Sequence, residues 1–176
     1  MCIRDSQWSP DGNFLAFADA DHQESVVSIR SSTDFTRERR LLGADRSILA
    51  LCWSPDGSRI AAGGQDSTAR VWDVATAKQV ATALKHGGSV TSIDWLPTMD
   101  QVRLACATNA GEVCLWDVDS GKLALSFETP RLTVPEVAWS PDGRCLAAAS
   151  GPFINLWDAF PRPVSEVGFT ERQASE

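Results

Sequence analysis

The chain has no tyrosine, two histidines and two methionines among its 176 residues. So few histidines leave little material for acid–base or multi-histidine metal chemistry. No G-x-S-x-G elbow, Walker loop or G-x-G-x-x-G run occurs, so common signatures of hydrolases and nucleotide-binding enzymes are missing. The five cysteines (Cys2, Cys52, Cys106, Cys114, Cys145) are odd in number and form no C-x-x-C pair. Four of them sit in apolar, strand-like runs. That suits buried free thiols in a reducing compartment better than a disulfide frame or a zinc site. No apolar run approaches the roughly 18 residues of a membrane-spanning helix, and the first residues show no signal-peptide core. Positive charge is scarce as well: 16 basic against 23 acidic residues give a net charge of −7. An acidic surface repels phosphate backbones, so neither a nucleic-acid nor a membrane partner is expected. The one basic cluster, Arg37–Glu38–Arg39–Arg40, is short and interrupted and reads as a solvated edge.

What is present is repetition. The pentapeptide WSPDG stands at Trp8–Gly12, Trp53–Gly57 and Trp139–Gly143. Trp95 continues the series in "WLPTMDQVRLA" (Trp95–Ala105), so the steps are 45, 42 and 44 residues. A second series, Trp72-Asp73, Trp116-Asp117 and Trp157-Asp158, has steps of 44 and 41, and together the two series contain all seven tryptophans. In the first unit Arg30-Ser31 replaces the Trp-Asp pair.

Each unit reads as β-structure. "SILALCW" (Ser47–Trp53), "RIAAGG" (Arg59–Gly64), "TARVWDV" (Thr68–Val74) and "KQVATAL" (Lys78–Leu84) are short apolar or alternating runs parted by Gly, Pro, Asp and Ser. No stretch has 3.6-residue spacing. In SPDG the proline presets φ for the second turn position and the glycine supplies the positive φ that closes a type I turn with a bulge. The pentapeptide is therefore a hairpin signal between the first and second strands of each unit, and its tryptophan anchors the strand end.

A period near 43 residues closed by Trp-Asp resembles the WD-repeat family, over about residues 3–160. The resemblance implies an all-β fold, a β-propeller segment of about four antiparallel blades from a larger propeller of about seven. The repeats are expected to occupy residues 1–160. By blade they fall at about 1–44, 45–86, 87–130 and 131–169, with 170–176 a disordered or truncated tail. The last unit's closing strand is expected from "PRPVSEVGF" (Pro161–Phe169). The family's Gly-His pair is matched by Gly43-Ala44, Lys85-His86 and Thr129-Pro130, so only His86 survives. Its turn aspartate is matched by Asp66 but by Ala110 and Gly151 in the next units. No unit keeps the buried Asp–His–Ser/Thr–Trp hydrogen-bond network whole.

Functionally the resemblance implies a non-catalytic scaffold for protein–protein interaction, cytoplasmic with the nucleus left open. The face built from the loops into the first strands and the turns between second and third strands is the expected partner site, at Asp45, Ser47, Gln65, Ser89 and Asn109. Arg46 and Arg131 are the large anchors nearby. The partners are proteins or peptides, together with propeller blades from the rest of the chain. No catalytic residue, cofactor or metal ligand is expected. "DADHQE", with Asp19, Asp21, His22 and Glu24, reads as a solvated turn, because adjacent carboxylates alone do not set a coordination geometry. His86 reads as a structural histidine bonded to backbone or a hydroxyl. The alternative is the propeller portion of a larger multidomain enzyme with catalysis outside this segment. It draws on the similarity of "WSPDGNFLAFAD" (Trp8–Asp19) to peptidase-linked and Tol-type propellers. The Trp-Asp closings favour the WD-repeat family.

Overall fold

The computed structural model describes residues 5–21, 24–34, 38–44, 46–80, 84–98, 103–129, 133–158 and 171–173. Among these residues there is no helix. Sixteen strands form four sheets, each of four antiparallel strands in sequence order. The first sheet holds β1 (Ser6–Trp8), β2 (Phe14–Asp21), β3 (Glu24–Ser31) and β4 (Glu38–Ala44). The second holds β5 (Ile48–Trp53), β6 (Arg59–Gly64), β7 (Thr68–Asp73) and β8 (Leu84–Lys85). The third holds β9 (Val90–Trp95), β10 (Arg103–Thr108), β11 (Glu112–Asp117) and β12 (Lys122–Glu128). The fourth holds β13 (Glu136–Trp139), β14 (Cys145–Ser150), β15 (Phe153–Asp158) and β16 (Glu171–Gln173). These are four blades of a β-propeller.

Two outer strands depart from the sequence expectation. β8 is described at Leu84–Lys85, and among the described residues before it in "KQVATAL" Gln79 bridges to Trp72, while residues 81–83 lie outside the described residues. The outer strand described for the fourth sheet is Glu171–Gln173; the stretch Pro161–Phe169, expected to supply it, lies outside the described residues.

The SPDG turns form as their chemistry dictates. The N–H groups of Gly12, Gly57 and Gly143 donate to the carbonyls of Ser9, Ser54 and Ser140 at 2.8–2.9 Å, with glycine φ near +70°. In each turn the serine hydroxyl bonds the aspartate, and that aspartate accepts the N–H two residues on. These hydrogen bonds hold the carboxyls of Asp11 and Asp142 below the usual carboxylate range, the serine's first. At Asp56 partial burial pushes upward, but hydrogen bonds from Ser54 and Ser58 outweigh it, and its pKa is also lowered.

Three apolar cores lie between successive sheets. The first joins Val27, Ile29 and Leu41 to Leu51, Trp53 and Ile60. The second joins Cys52, Val71 and Leu84 to Val90, Trp95 and Leu104, and the third joins Leu115 to Val137, Trp139 and Leu146. Strand alternation explains the division: along β11, Val113 and Leu115 face the fourth sheet while Cys114 and Trp116 face the second. The sheets approach closely. A Cβ on Gly63 would sit 2.4 Å from Val90 Cγ1, so β6 admits β9 only because that position has no side chain.

The residue before each first-strand tryptophan ties its blade to the next. Gln7 accepts Trp53 N–H through its side chain at 2.8 Å and Trp53 Nε1–H through its carbonyl at 3.0 Å. Cys52 O accepts Trp95 Nε1–H at 3.3 Å, and Asp94 Oδ2 accepts Trp139 N–H at 2.7 Å. Trp53, Trp72, Trp95, Trp139 and Trp157 are buried as the repeat requires, and Trp116 is partly buried. Trp8, with no blade packed on its side, is 51% exposed.

Candidate functional site

The loops into the first strands meet the turns between second and third strands at one end of each blade. In the second blade Gln65 N–H donates to Ser47 O at 2.9 Å, and in the third Asn109 N–H donates to Ser89 O at 3.0 Å. Ser47 and Ser89 are half-buried while Gln65 and Asn109 are exposed. The structure thus brings four of the five expected face residues together in two equivalent pairs. Asp45 and Arg131 lie outside the described residues, and Arg46 is exposed. The backbone of each pair is pinned, so the side chains are carried on fixed loop ends.

Behind each pair the two blades are furnished differently. In the second, the Asp66 carboxylate accepts Thr68 N–H at 3.1 Å and Thr68 Oγ1–H at 2.7 Å, and it also pairs with Arg70. Arg70 is buried, and its guanidinium also bonds Thr68 Oγ1. A buried cation with its carboxylate and a hydroxyl is a satisfied network. In the third blade the matching positions are Ala110, Glu112 and Cys114. Here His86, arriving from the β8–β9 link, stands edge-on to Trp116 with ring centroids 5.5 Å apart.

Neither ring nitrogen of His86 has a hydrogen-bond partner among the described residues, although both are buried. This corrects the reading of His86 as bonded to backbone or a hydroxyl. Ala110 stands where the aspartate that would receive its N–H is expected, and a ligand atom of Glu112 and one of Cys114 lie within 4.8 Å of a ring nitrogen. Burial pushes His86 down to about 4, with Glu112 pulling weakly the other way, so the imidazole is neutral at pH 7. Sequence reasoning missed this grouping because His86 lies in the link before β9, some 26 residues from Glu112 and Cys114 on β11, and the three share no local motif.

Three of the thiols are held in the protonated form by their surroundings. Burial raises Cys52 and Cys106 well above the ordinary thiol value, and burial with the adjacent Glu112 pushes Cys114 up to about 12. Of the "DADHQE" turn, Asp19 is half-buried on β2, His22 lies outside the described residues, and the side chains of Asp21 and Glu24 are not described. An ion pair that sequence gave no sign of links blades two and three at the opposite end: Arg59 Nη1 to Asp119 Oδ1, 2.7 Å. Among the described residues no helix is long and apolar enough to cross a membrane.

The chain was compared with known proteins. The description "WD domain, G-beta repeat" matches residues 35–73 and 121–158, each span running from the outer strand of one blade into the third strand of the next or ending there. The chain is 26% identical over 86% of its length to a WD repeat-containing protein 26 homolog of Arabidopsis thaliana, covering 26% of that protein. It is 31% identical over 65% of its length to the eukaryotic translation initiation factor 3 subunit I of Debaryomyces hansenii, covering 32% of it. It is also 29% identical over 94% of its length to protein hir1 of Schizosaccharomyces pombe, covering 19%. The chain therefore spans about a third or less of these relatives. A repeat of near 43 residues, one four-stranded antiparallel sheet per repeat and these matches show that the chain carries WD repeats.

Proposed function

We propose that the chain is a non-catalytic scaffold that binds proteins or peptides through the loop ends of its blades. The observation that carries this is the pair of pinned contacts, Ser47 with Gln65 and Ser89 with Asn109. Side chains held on rigid ends lose little conformational entropy on binding, which suits recognition of extended or folded polypeptide. Asp45 completes the proposed face. The relatives' printed names, a translation initiation factor subunit among them, support membership of protein assemblies. They fit a cytoplasmic or nuclear protein.

The four blades are read as one arc of a larger propeller of about seven blades. Trp8 supports this: its counterparts Trp53, Trp95 and Trp139 are buried against a preceding blade, whereas Trp8 is exposed. Ile154, which alternates with the inward-facing Asn155 and Trp157 on β15, is exposed on the far side of the fourth blade. Further blades would cover both faces and remove the open edges.

The test is affinity purification from cell extract with the wild-type chain and a variant carrying Ser47→Arg, Gln65→Arg, Ser89→Arg and Asn109→Arg. Partners recovered by the wild type are expected to be lost with the variant, while the thermal midpoint changes little. Partners retained unchanged by the variant would move the binding surface elsewhere. Hydrolysis of an ester, peptide or phosphate substrate, abolished by His22→Ala or His86→Ala, would end the non-catalytic reading.

A further inference from the structure

We propose that His86, Glu112 and Cys114 of the third blade together bind one Zn2+ ion. The nitrogen, oxygen and sulfur donor atoms of the three side chains already lie within 4.8 Å of one another. Both His86 nitrogens are buried without a hydrogen-bond partner among the described residues, so a lone pair is directed at no protein donor. Glu112 and Cys114 are two apart on β11 and share the face that looks toward the second blade. The Gly87 N–H donates to the Glu112 carboxylate at 3.1 Å, which ties the loop carrying His86 to that strand.

The donor set selects the ion. One imidazole, one carboxylate and one thiolate suit zinc, whereas calcium and magnesium take oxygen ligands. Two anionic ligands neutralise the dication, so the half-buried site carries no net charge. Tetrahedral zinc with bonds of about 2.0–2.3 Å needs ligand atoms about 3.4–3.8 Å apart, a closure of roughly 1 Å that side-chain rotation supplies. On binding, the Cys114 Sγ–H proton passes to solvent and the thiolate takes the metal. Water fills the fourth position, or Cys106, which stands opposite Cys114 in register and so shares its face.

The second blade shows why a cation belongs here. At the matching positions it has Ala44, Thr68 and Arg70, and the buried Arg70 guanidinium occupies the slot against Asp66. The third blade has donors in place of that internal cation. Zinc would join the β8–β9 link to β11 directly behind Ser89 and Asn109, stiffening that part of the loop end.

The experiment titrates the chelator-stripped protein with Co2+ and then displaces it with Zn2+. One equivalent of Co2+ is expected to give tetrahedral visible bands with a thiolate-to-metal charge-transfer absorption, and Zn2+ is expected to raise the thermal midpoint. Cys114→Ser should abolish the charge-transfer band. Glu112→Gln, at a half-buried side chain that disturbs folding little, should weaken binding at least tenfold, while Cys145→Ser leaves it unchanged. No charge-transfer band in the wild type, or binding by Glu112→Gln and Cys114→Ser as tight as the wild type, would overturn the site.

Discussion

The second and third blades share a backbone plan, and they differ most where their second and third strands turn. In the second, Asp66, Thr68 and Arg70 satisfy one another in a closed buried network. In the third, Ala110 removes the central acceptor, and the ring nitrogens of His86 and Trp116 are left without a hydrogen-bond partner among the described residues, with Glu112 and Cys114 beside the histidine. Trp72 Nε1–H reaches Leu42 O at 3.1 Å, whereas Trp116 Nε1–H is buried with no partner among the described residues. The same hairpin therefore accommodates either a self-contained ion pair or an unfilled donor cluster, because its ladder forms in both blades.

The sharpest way to test this contrast is to break the ion pair. Asp66→Ala leaves the buried Arg70 charge without its carboxylate and should cost about 3–5 kcal/mol in urea unfolding. Adding Arg70→Met should recover much of that loss. If Asp66→Ala alone changed the midpoint by no more than a surface substitution, the network would not support the second blade.

The tryptophans give the next largest difference. Trp72→Ala should cost about 3–5 kcal/mol, as other buried aromatic deletions do. Trp116→Ala should cost less, roughly 2 kcal/mol, because the ring is only partly buried and loses no indole hydrogen bond. Equal losses would show that packing alone decides and that the indole bond is immaterial.

Acid should separate the open slot from the regular turns at the other end. The carboxyls of Asp11, Asp56 and Asp142 have folded pKa values below their unfolded value. Their contribution is therefore complete above about pH 3.9 and is lost as pH falls through the lowered folded values. Unfolding midpoints measured from pH 5 down to 2 should fall, and Asp56→Asn should make that fall shallower. A pH dependence unchanged by Asp56→Asn would remove the turn carboxylates as its cause.

The smallest effect is expected from the converse change. Ala110→Asp offers the third blade the acceptor it lacks, within reach of a buried histidine, and should alter stability by no more than about 1 kcal/mol, since hydrogen-bond gain and carboxylate desolvation oppose each other. A gain above that would mean the slot is strained without an aspartate.

The repeated turns and strands were legible from residue order because their physics is local. Pro and Gly at fixed offsets set the backbone of SPDG, and the two-residue period of a strand divides the side chains of β6 and β7 between the cores on their two faces. The outer strands were less legible: β8 is described only at Leu84–Lys85, the end of "KQVATAL" and one residue past it, and β16 lies beyond the proline-rich stretch. The loop face was legible as a set of positions, since hairpin topology sends equivalent turns to the same end, and two of its pairs are in contact. What tertiary structure alone decided is the company kept across blades. That Gln7, Cys52 and Asp94 each hold the next blade's tryptophan, that Arg59 meets Asp119, and that His86 comes to rest beside Glu112 and Cys114 all depend on distances between segments some 25–60 residues apart. Local propensity fixes which face of a strand a residue occupies. Only the packing of one sheet on the next determines what that face meets.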